Sequence, residues 1–186
     1  TTEGRFPELL YTPKKPFANR LTQQLAWAKA LLATPQNIRQ RIVPQPPAEQ
    51  AHDRWLALGE IIRKQHVDLA ADGLSFADVA VRGAHLDGFD EHARWEALAA
   101  VQERYHHLLD DLQLWDIQSA RLFAIKHREP QIERPVFLLG TVDLNLATRQ
   151  MLDLVADKVT TLIAAPESFA AAFDAHGCLL PEFWRN

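Results

Sequence analysis

Apolar residues recur every three or four positions over most of the chain, which predicts helices. From Phe17 to Ala33 this spacing sets Leu21, Leu25, Ala28 and Leu32 on one expected inward face, and Pro35 stops the pattern. Pro44, Pro46 and Pro47 separate that segment from a long second helix with a stripe of Trp55, Leu58, Ile62 and Leu69. Gly73 ends it, at a position suited to a left-handed cap. Ser75 and Asp78 have the spacing of a capping box with Asp in place of Glu, so a short helix over Phe76, Val79 and Ala80 is expected before Gly83. The strongest pattern runs from Asp90 to Leu112, where Trp95, Leu98, Val101, Tyr105, Leu108 and Leu112 form a narrow seam. A further helix is expected over Asp116 to His127.

After Pro130 the rhythm changes. Val136 to Leu139, ending at Gly140, is a short continuous apolar run, the pattern of a strand covered on both faces. Asn145 can cap a helix reaching Asp157 with Leu146, Met151, Leu152 and Val155 inward, and Val159 to Ala164 reads as a second buried strand. Two such runs around one helix make a parallel βαβ unit. The expected fold is therefore α/β but predominantly helical: a helical region over 1–130 and a small βαβ piece over 131–186, together one domain. Two strands alone are a poor sheet, so neighbouring strands are expected from outside the chain, or else the helical part covers the edges.

With 186 residues, 47% of them hydrophobic, the chain is long enough to bury a core of its own. No apolar stretch approaches the ~20 residues that span a bilayer and no signal-peptide pattern opens the chain, so a cytoplasmic protein with no membrane association is expected. A single cysteine, Cys178, excludes an internal disulfide and a Cys-x-x-Cys site; it reads as a small buried hydrophobe. Net charge is −4, unevenly spread: Arg5, Lys14, Lys15, Arg20, Lys29, Arg39 and Arg41 face only Glu3 and Glu8 in the first 47 residues, a local balance of +5. Any phosphate-facing surface belongs there, with Lys14, Lys15 and Arg20 as candidate contacts, although a solvated helix face accounts for the same charges. The chain opens at Thr1 and its one methionine is Met151, which reads as a piece of something longer.

Several chemistries are excluded by residue type. There is no Gly-Lys pair for a phosphate-binding loop and no Gly-x-Gly-x-x-Gly fingerprint. No lysine has an acid two residues before it, as a restriction-type nuclease centre requires, and neither His-Glu-x-x-His nor Gly-x-Ser-x-Gly occurs. No cofactor and no metal are expected. Asp87, Asp90, Glu91 and His92 cluster within one turn, but at a helix start, where acids complement the dipole. His106 and His107 are adjacent and so face different sides of a helix. Five tryptophans, Trp27, Trp55, Trp95, Trp115 and Trp184, read as core or as anchors for a partner of a helical interaction domain. The stretch from Leu139 to Arg149 lies at the carboxyl end of a predicted strand, where α/β proteins place ligands. Asp143 there could be the nucleophile of a haloacid-dehalogenase-like phosphatase, but the second acid is replaced by Asn145. Alternatively both residues turn the chain and cap the helix.

A third reading follows from a resemblance. The run FLLGTVDLNLATRQMLDLV, Phe137 to Val155, resembles the second ATPase motif of UvrD-type superfamily 1 helicases, where a buried strand ends in Asp-Glu and a turn leads into a helix. Gly140 and Thr141 stand where that family has its magnesium-binding aspartate and water-activating glutamate, making Gly140, Thr141, Asp143 and Asn145 a degenerate version of the motif. The following TTLIAAPESFAAAFDAHGCLLPEFW, with the upstream blocks GRFPELLYTPKKPFANRLTQQLAWAKALL, LAADGLSFADVA and ARWEALAAVQERYHHLLDDLQLWD, resembles AddB-like proteins of the restriction-type nuclease family. The resemblance implies a P-loop-descended, inactivated helicase-like domain. It further implies a role in DNA double-strand-break end processing and recombinational repair, with an AddA-like helicase subunit as partner and the nuclease domain elsewhere. Losing both acids removes the metal ligand and base that phosphoryl transfer needs, so no catalytic residue is assigned.

Overall fold

The computed structural model describes residues 6–185, and among them the chain is mostly helical with one small parallel sheet. It divides into two compact units, Lys14–Ala120 and Thr1–Pro13 with Arg121–Asn186. Within the second of these units Glu8 is fastened to Arg121 by a bidentate ion pair at 2.6 and 2.9 Å.

The larger unit contains α1 (Arg20–Leu32), α2 (Gln36–Ile42), α3 (His52–Ala71), α4 (Phe76–Gly83) and α5 (His92–Asp111). The Asn19 side chain caps α1 by accepting from the Thr22 amide. The face that α1 buries is not the leucine stripe: Leu21 and Leu25 are 62% and 49% exposed, whereas Trp27, Ala30 and Leu31 are fully enclosed. The reason lies in α3. A Cβ on Gly59 would stand 2.7 Å from the Gln24 carbonyl and 2.8 Å from the Ala28 amide, so backbone meets backbone there. Small residues of α1 suit that approach, and the bulkier leucines are turned away.

The corner from α3 to α4 follows the sequence closely. Gly73 is left-handed (φ 73°), with the Leu74 amide donating to Leu69 at 2.9 Å and the Gly73 amide to Ala70 at 3.0 Å, a Schellman cap. Two residues on, Ser75 and Asp78 form both halves of the capping box. At the end of α5 the same 6→1 bond joins Leu114 to Leu109, with Gln113 taking the left-handed position (φ 55°). That exit leaves Leu112 exposed, although the expected seam included it. The core gathers Trp27, Leu31, Trp55, Ile62, Phe76, Leu98, Val101 and Tyr105; Trp27 stacks on Tyr105 with centroids 4.0 Å apart. Trp95 and Trp115 are half-buried, and the Trp184 side chain lies outside the described residues.

A further helix, α6 (Ile117–Lys126), precedes the sheet. The smaller unit then carries β1 (Val136–Leu139), α7 (Leu146–Asp153) and β2 (Val159–Leu162), with β1 and β2 parallel and Val136 opposite Val159. Asn145 caps α7 as expected, its side chain accepting from the Thr148 amide, and Met151 and Leu152 are fully buried. The helix ends earlier than expected, followed by a 3-10 turn over Ala156–Lys158. The expectation that β1 is covered on both faces is not met. Leu138 is buried, but Phe137 and Leu139 are 58% and 69% exposed, because one crossover helix shields one face and the described residues supply nothing for the other.

Candidate functional site

The carboxyl end of β1 leads into the loop singled out by the sequence. Gly140 is left-handed (φ 60°) and turns the chain out of the strand, with open space where a Cβ would be. Asp143 has its side chain 89% exposed and lies 3.5 Å from the Arg149 guanidinium. Arg149 also donates from Nε to the Leu144 carbonyl at 2.8 Å and is hydrogen-bonded to Asp174. Arg149 therefore staples the loop to the segment after β2. Burial pushes the Asp174 carboxyl up, but the Cys178 amide, the Arg149 guanidinium and the His176 amide outweigh it and hold it below the usual carboxylate range. Cys178 is buried, as expected.

Beside this loop lies a groove of about 460 Å³ at the carboxyl ends of both strands, lined by Gly140, Thr141, Val142, Leu162, Ile163 and Leu179 among others. Its lining carries one hydroxyl, that of Thr141, and no charge. The sequence placed Gly140, Thr141, Asp143 and Asn145 together, and the fold keeps them together, but their groups are spent locally. Asn145 is committed to the helix cap, and the two carboxylates here, Asp143 and Asp174, both meet the Arg149 guanidinium. Among the described residues no three His, Cys, Asp or Glu side chains are arranged to hold a metal ion. At the Asp87–His92 cluster, Glu91 bonds Arg94, and His92 contacts the Ala80 carbonyl and Glu96.

The basic candidates all lie in the larger unit. Lys15 pairs with Asp110 at 2.7 Å. Arg20, extended into solvent, pairs with Glu60 at 2.8 Å. Glu60 is also held by Arg63 through two hydrogen bonds, 2.7 and 3.0 Å. Arg63 foremost, reinforced by Arg20 and working against burial, lowers the Glu60 carboxyl to about 2.

The most developed polar arrangement went unread in the sequence. His66 and Asp116 are both almost completely enclosed in the larger unit, with His66 Nε2 2.9 Å from Asp116 Oδ1. Asp116 also accepts from the Tyr105 hydroxyl at 2.8 Å and the Ser119 amide at 2.8 Å, and Gln102 Nε2 sits 3.0 Å from His66 Nδ1. His106 Nε2 lies 2.9 Å from the Ser119 hydroxyl. Burial works to raise the Asp116 carboxyl, yet the hydrogen bond and charge of His66, the Ser119 amide and the Tyr105 hydroxyl hold it well below the usual range. Burial, then the charge of Asp116 and its hydrogen bond, push the Tyr105 phenol far up. A His–Asp dyad is a common catalytic unit. Here, stacked rings of Trp27 and Tyr105 and the flanking Phe76 wall it in, so it positions helices instead of meeting substrate. The sequence signal was there: His66 and Gln102 occupy stripe positions of two amphipathic helices, and polar residues in two core stripes need each other.

Among the described residues no helix is long and apolar enough to cross a membrane. No family model, no curated protein and no solved structure matches the chain.

Proposed function

We propose that residues 1–186 form a non-catalytic, P-loop-descended helicase-like module of an AddB-type helicase-nuclease. It engages DNA during double-strand-break end processing and recombinational repair, alongside an AddA-like helicase subunit. The observation that carries this reading is the β1–α7–β2 crossover whose first strand is followed by Gly140 and Thr141 where an ATPase of this kind needs two acids. The next acid, Asp143, is drawn toward Arg149, and the neighbouring groove is apolar, so triphosphate and magnesium have no seat there. The same spent groups weigh against phosphatase chemistry, which needs a second acid where Asn145 caps α7.

DNA contact is assigned to Lys14, Lys15 and Arg20. The acids beside Lys15 and Arg20 do not prevent it, because exposed ion pairs hold by less than about 1 kcal/mol and phosphate competes for the cation. Glu60 keeps Arg63 when Arg20 leaves. Single-stranded DNA binding measured against salt tests the reading: each phosphate contact contributes about −0.7 to the log–log slope, so three give about −2. Replacing Lys14, Lys15 and Arg20 by alanine flattens that slope, and ATP is not hydrolysed with or without DNA. Absence of binding at low salt would refute the DNA-engaging role, and magnesium-dependent ATP turnover would refute the non-catalytic one.

A further inference from the structure

The chain holds two Asp-Gly pairs, Asp72–Gly73 and Asp87–Gly88. Such pairs are prone to one spontaneous reaction, because a glycine nitrogen, with no Cβ beside it, can reach the preceding carboxyl carbon. The nitrogen, losing its proton, attacks Cγ of the neutral carboxyl, and the carboxyl hydroxyl leaves as water, closing a five-membered succinimide. Water then opens the ring. Attack at Cγ restores aspartate, whereas attack at the main-chain carbonyl leaves the chain running through the side chain, an isoaspartate. The water lost is regained, and no oxidant, reductant or metal takes part. Ring closure needs the Asp-Gly peptide plane to turn until its nitrogen faces Cγ, so bonds that hold that plane slow the reaction.

The fold treats the two pairs differently. Asp72 and Gly73 lie in the cap between α3 and α4, where the Asp72 amide donates to Leu69 at 3.0 Å, the Gly73 amide to Ala70 at 3.0 Å and the Leu74 amide to Leu69 at 2.9 Å. Turning that peptide plane breaks the Gly73 bond and opens the Schellman cap. Asp87 and Gly88 sit in the link from α4 to α5, and both are exposed. Their turn is closed by one bond, from the Phe89 amide to the Leu86 carbonyl at 3.3 Å, and among the described residues the Gly88 amide donates to no acceptor. Gly88 is left-handed (φ 78°) with no atom within 4 Å of where its Cβ would be, so it has room to rotate. We propose that Asp87–Gly88 is a site of spontaneous isoaspartate formation, while the cap protects Asp72–Gly73. The exposed product is a substrate for a repair methyltransferase, which transfers the methyl of S-adenosylmethionine to the new α-carboxylate. The added main-chain carbon falls two residues before Phe89, whose ring lies over Gly83 at the end of α4 and anchors the link there.

Ageing the protein at neutral pH and body temperature tests this. Isoaspartate is read as radiolabelled methyl transferred from S-adenosylmethionine by a protein-L-isoaspartate O-methyltransferase. Trypsin places the two pairs on separate peptides, 65–82 and 83–94. In the folded protein, peptide 83–94 gains label at least about fivefold faster than 65–82, the factor that one further backbone hydrogen bond supplies. In unfolding urea the two rates come within about twofold, because the fold alone separates them. Asp87→Glu, a change at an exposed side chain, removes the label from 83–94 with the melting temperature unchanged, since glutamate would have to close a larger ring. Equal labelling of the two peptides in the folded protein, or a gap that persists undiminished in urea, overturns the protection by the cap. Labelling of 83–94 in urea but not in the folded protein, or undiminished labelling of Asp87→Glu, overturns the site.

Discussion

Replacing Asp116 by alanine is the sharpest perturbation of the larger unit. The carboxylate accepts from three donors, His66 Nε2 at 2.9 Å, the Tyr105 hydroxyl at 2.8 Å and the Ser119 amide at 2.8 Å, with its side chain 1% exposed. Alanine leaves two side-chain donors enclosed without acceptors, at about 1–3 kcal/mol each, and removes a helix cap worth about 1 kcal/mol. These losses share one acceptor and do not add fully, so we expect about 4 kcal/mol, within the range for removing one partner of a buried ion pair. With a urea slope of about 2 kcal/mol/M, the denaturation midpoint falls by about 2 M. Asp116→Asn keeps one oxygen for His66 and Ser119, and the Tyr105 hydroxyl can turn to accept from the new amide. It should cost about 1–2 kcal/mol, the loss of charge assistance. The folded-state carboxyl titrates below its unfolded value, so its contribution is complete above about pH 4 and is lost as pH falls further toward the folded value. The gap between wild type and Asp116→Ala should therefore be flat from pH 7 to about pH 5 and close only in stronger acid. An asparagine variant as damaged as the alanine variant, or an alanine variant losing under about 1 kcal/mol, would refute the reasoning.

Burial and the neighbouring His66 hold the His106 ring at about 4 against the pull of Asp116 and Asp110. Stability should decline as pH falls from about 6.5 to about 4, by at most about 3 kcal/mol, and His106→Gln should flatten that stretch of a pH-dependent urea series. Glu60, lowered to about 2 chiefly by Arg63, adds a second acid limb between about pH 4 and 2, which Arg63→Met should shrink in the same series while Arg20 keeps a remainder. Gly140→Ala meets open space and carries only the left-handed backbone penalty of about 1–2 kcal/mol, whereas Gly177→Ala adds a Cβ 2.5 Å from Thr161 and should lower the melting temperature more. Gly59→Ala should destabilise despite alanine's better helix propensity, because α1 would have to move off α3; a higher melting temperature would count against that contact.

Local chemistry was the legible part of the sequence. The Ser75–Asp78 box, the Gly73 cap and the Asn145 cap each depend on residues within five positions, and each is present. The parallel pairing of β1 and β2 was legible because two short apolar runs flanked one amphipathic helix. What periodicity could not choose was the inward face of α1. Leucine spacing and the Ala–Trp–Ala spacing are both helical, and the choice depended on Gly59, thirty residues and one turn away in sequence. Expected cover over Phe137 and Leu139 failed for a related reason: an apolar run reports that a strand wants burial, not that a covering element is present. Of the site, the loop around Asp143 follows a strand, as the apolar run ahead of it suggests, whereas the His66–Asp116 pair spans fifty positions, and its signal, a polar residue where a core leucine would sit, names no partner.

The corner at Gly73 and Ser75 also sets an order of assembly. Its bonds close within five residues, so the turn from α3 into α4 can form as soon as Asp78 has been synthesised, with almost no loop-closure entropy. His66, whose Nε2 partner is Asp116, fifty residues on, must wait for Tyr105 and Asp116 to be made before its ring can be enclosed. During that interval α3 presents a hydrated imidazole among apolar neighbours, which discourages premature collapse around the wrong partners until α5 and the start of α6 arrive.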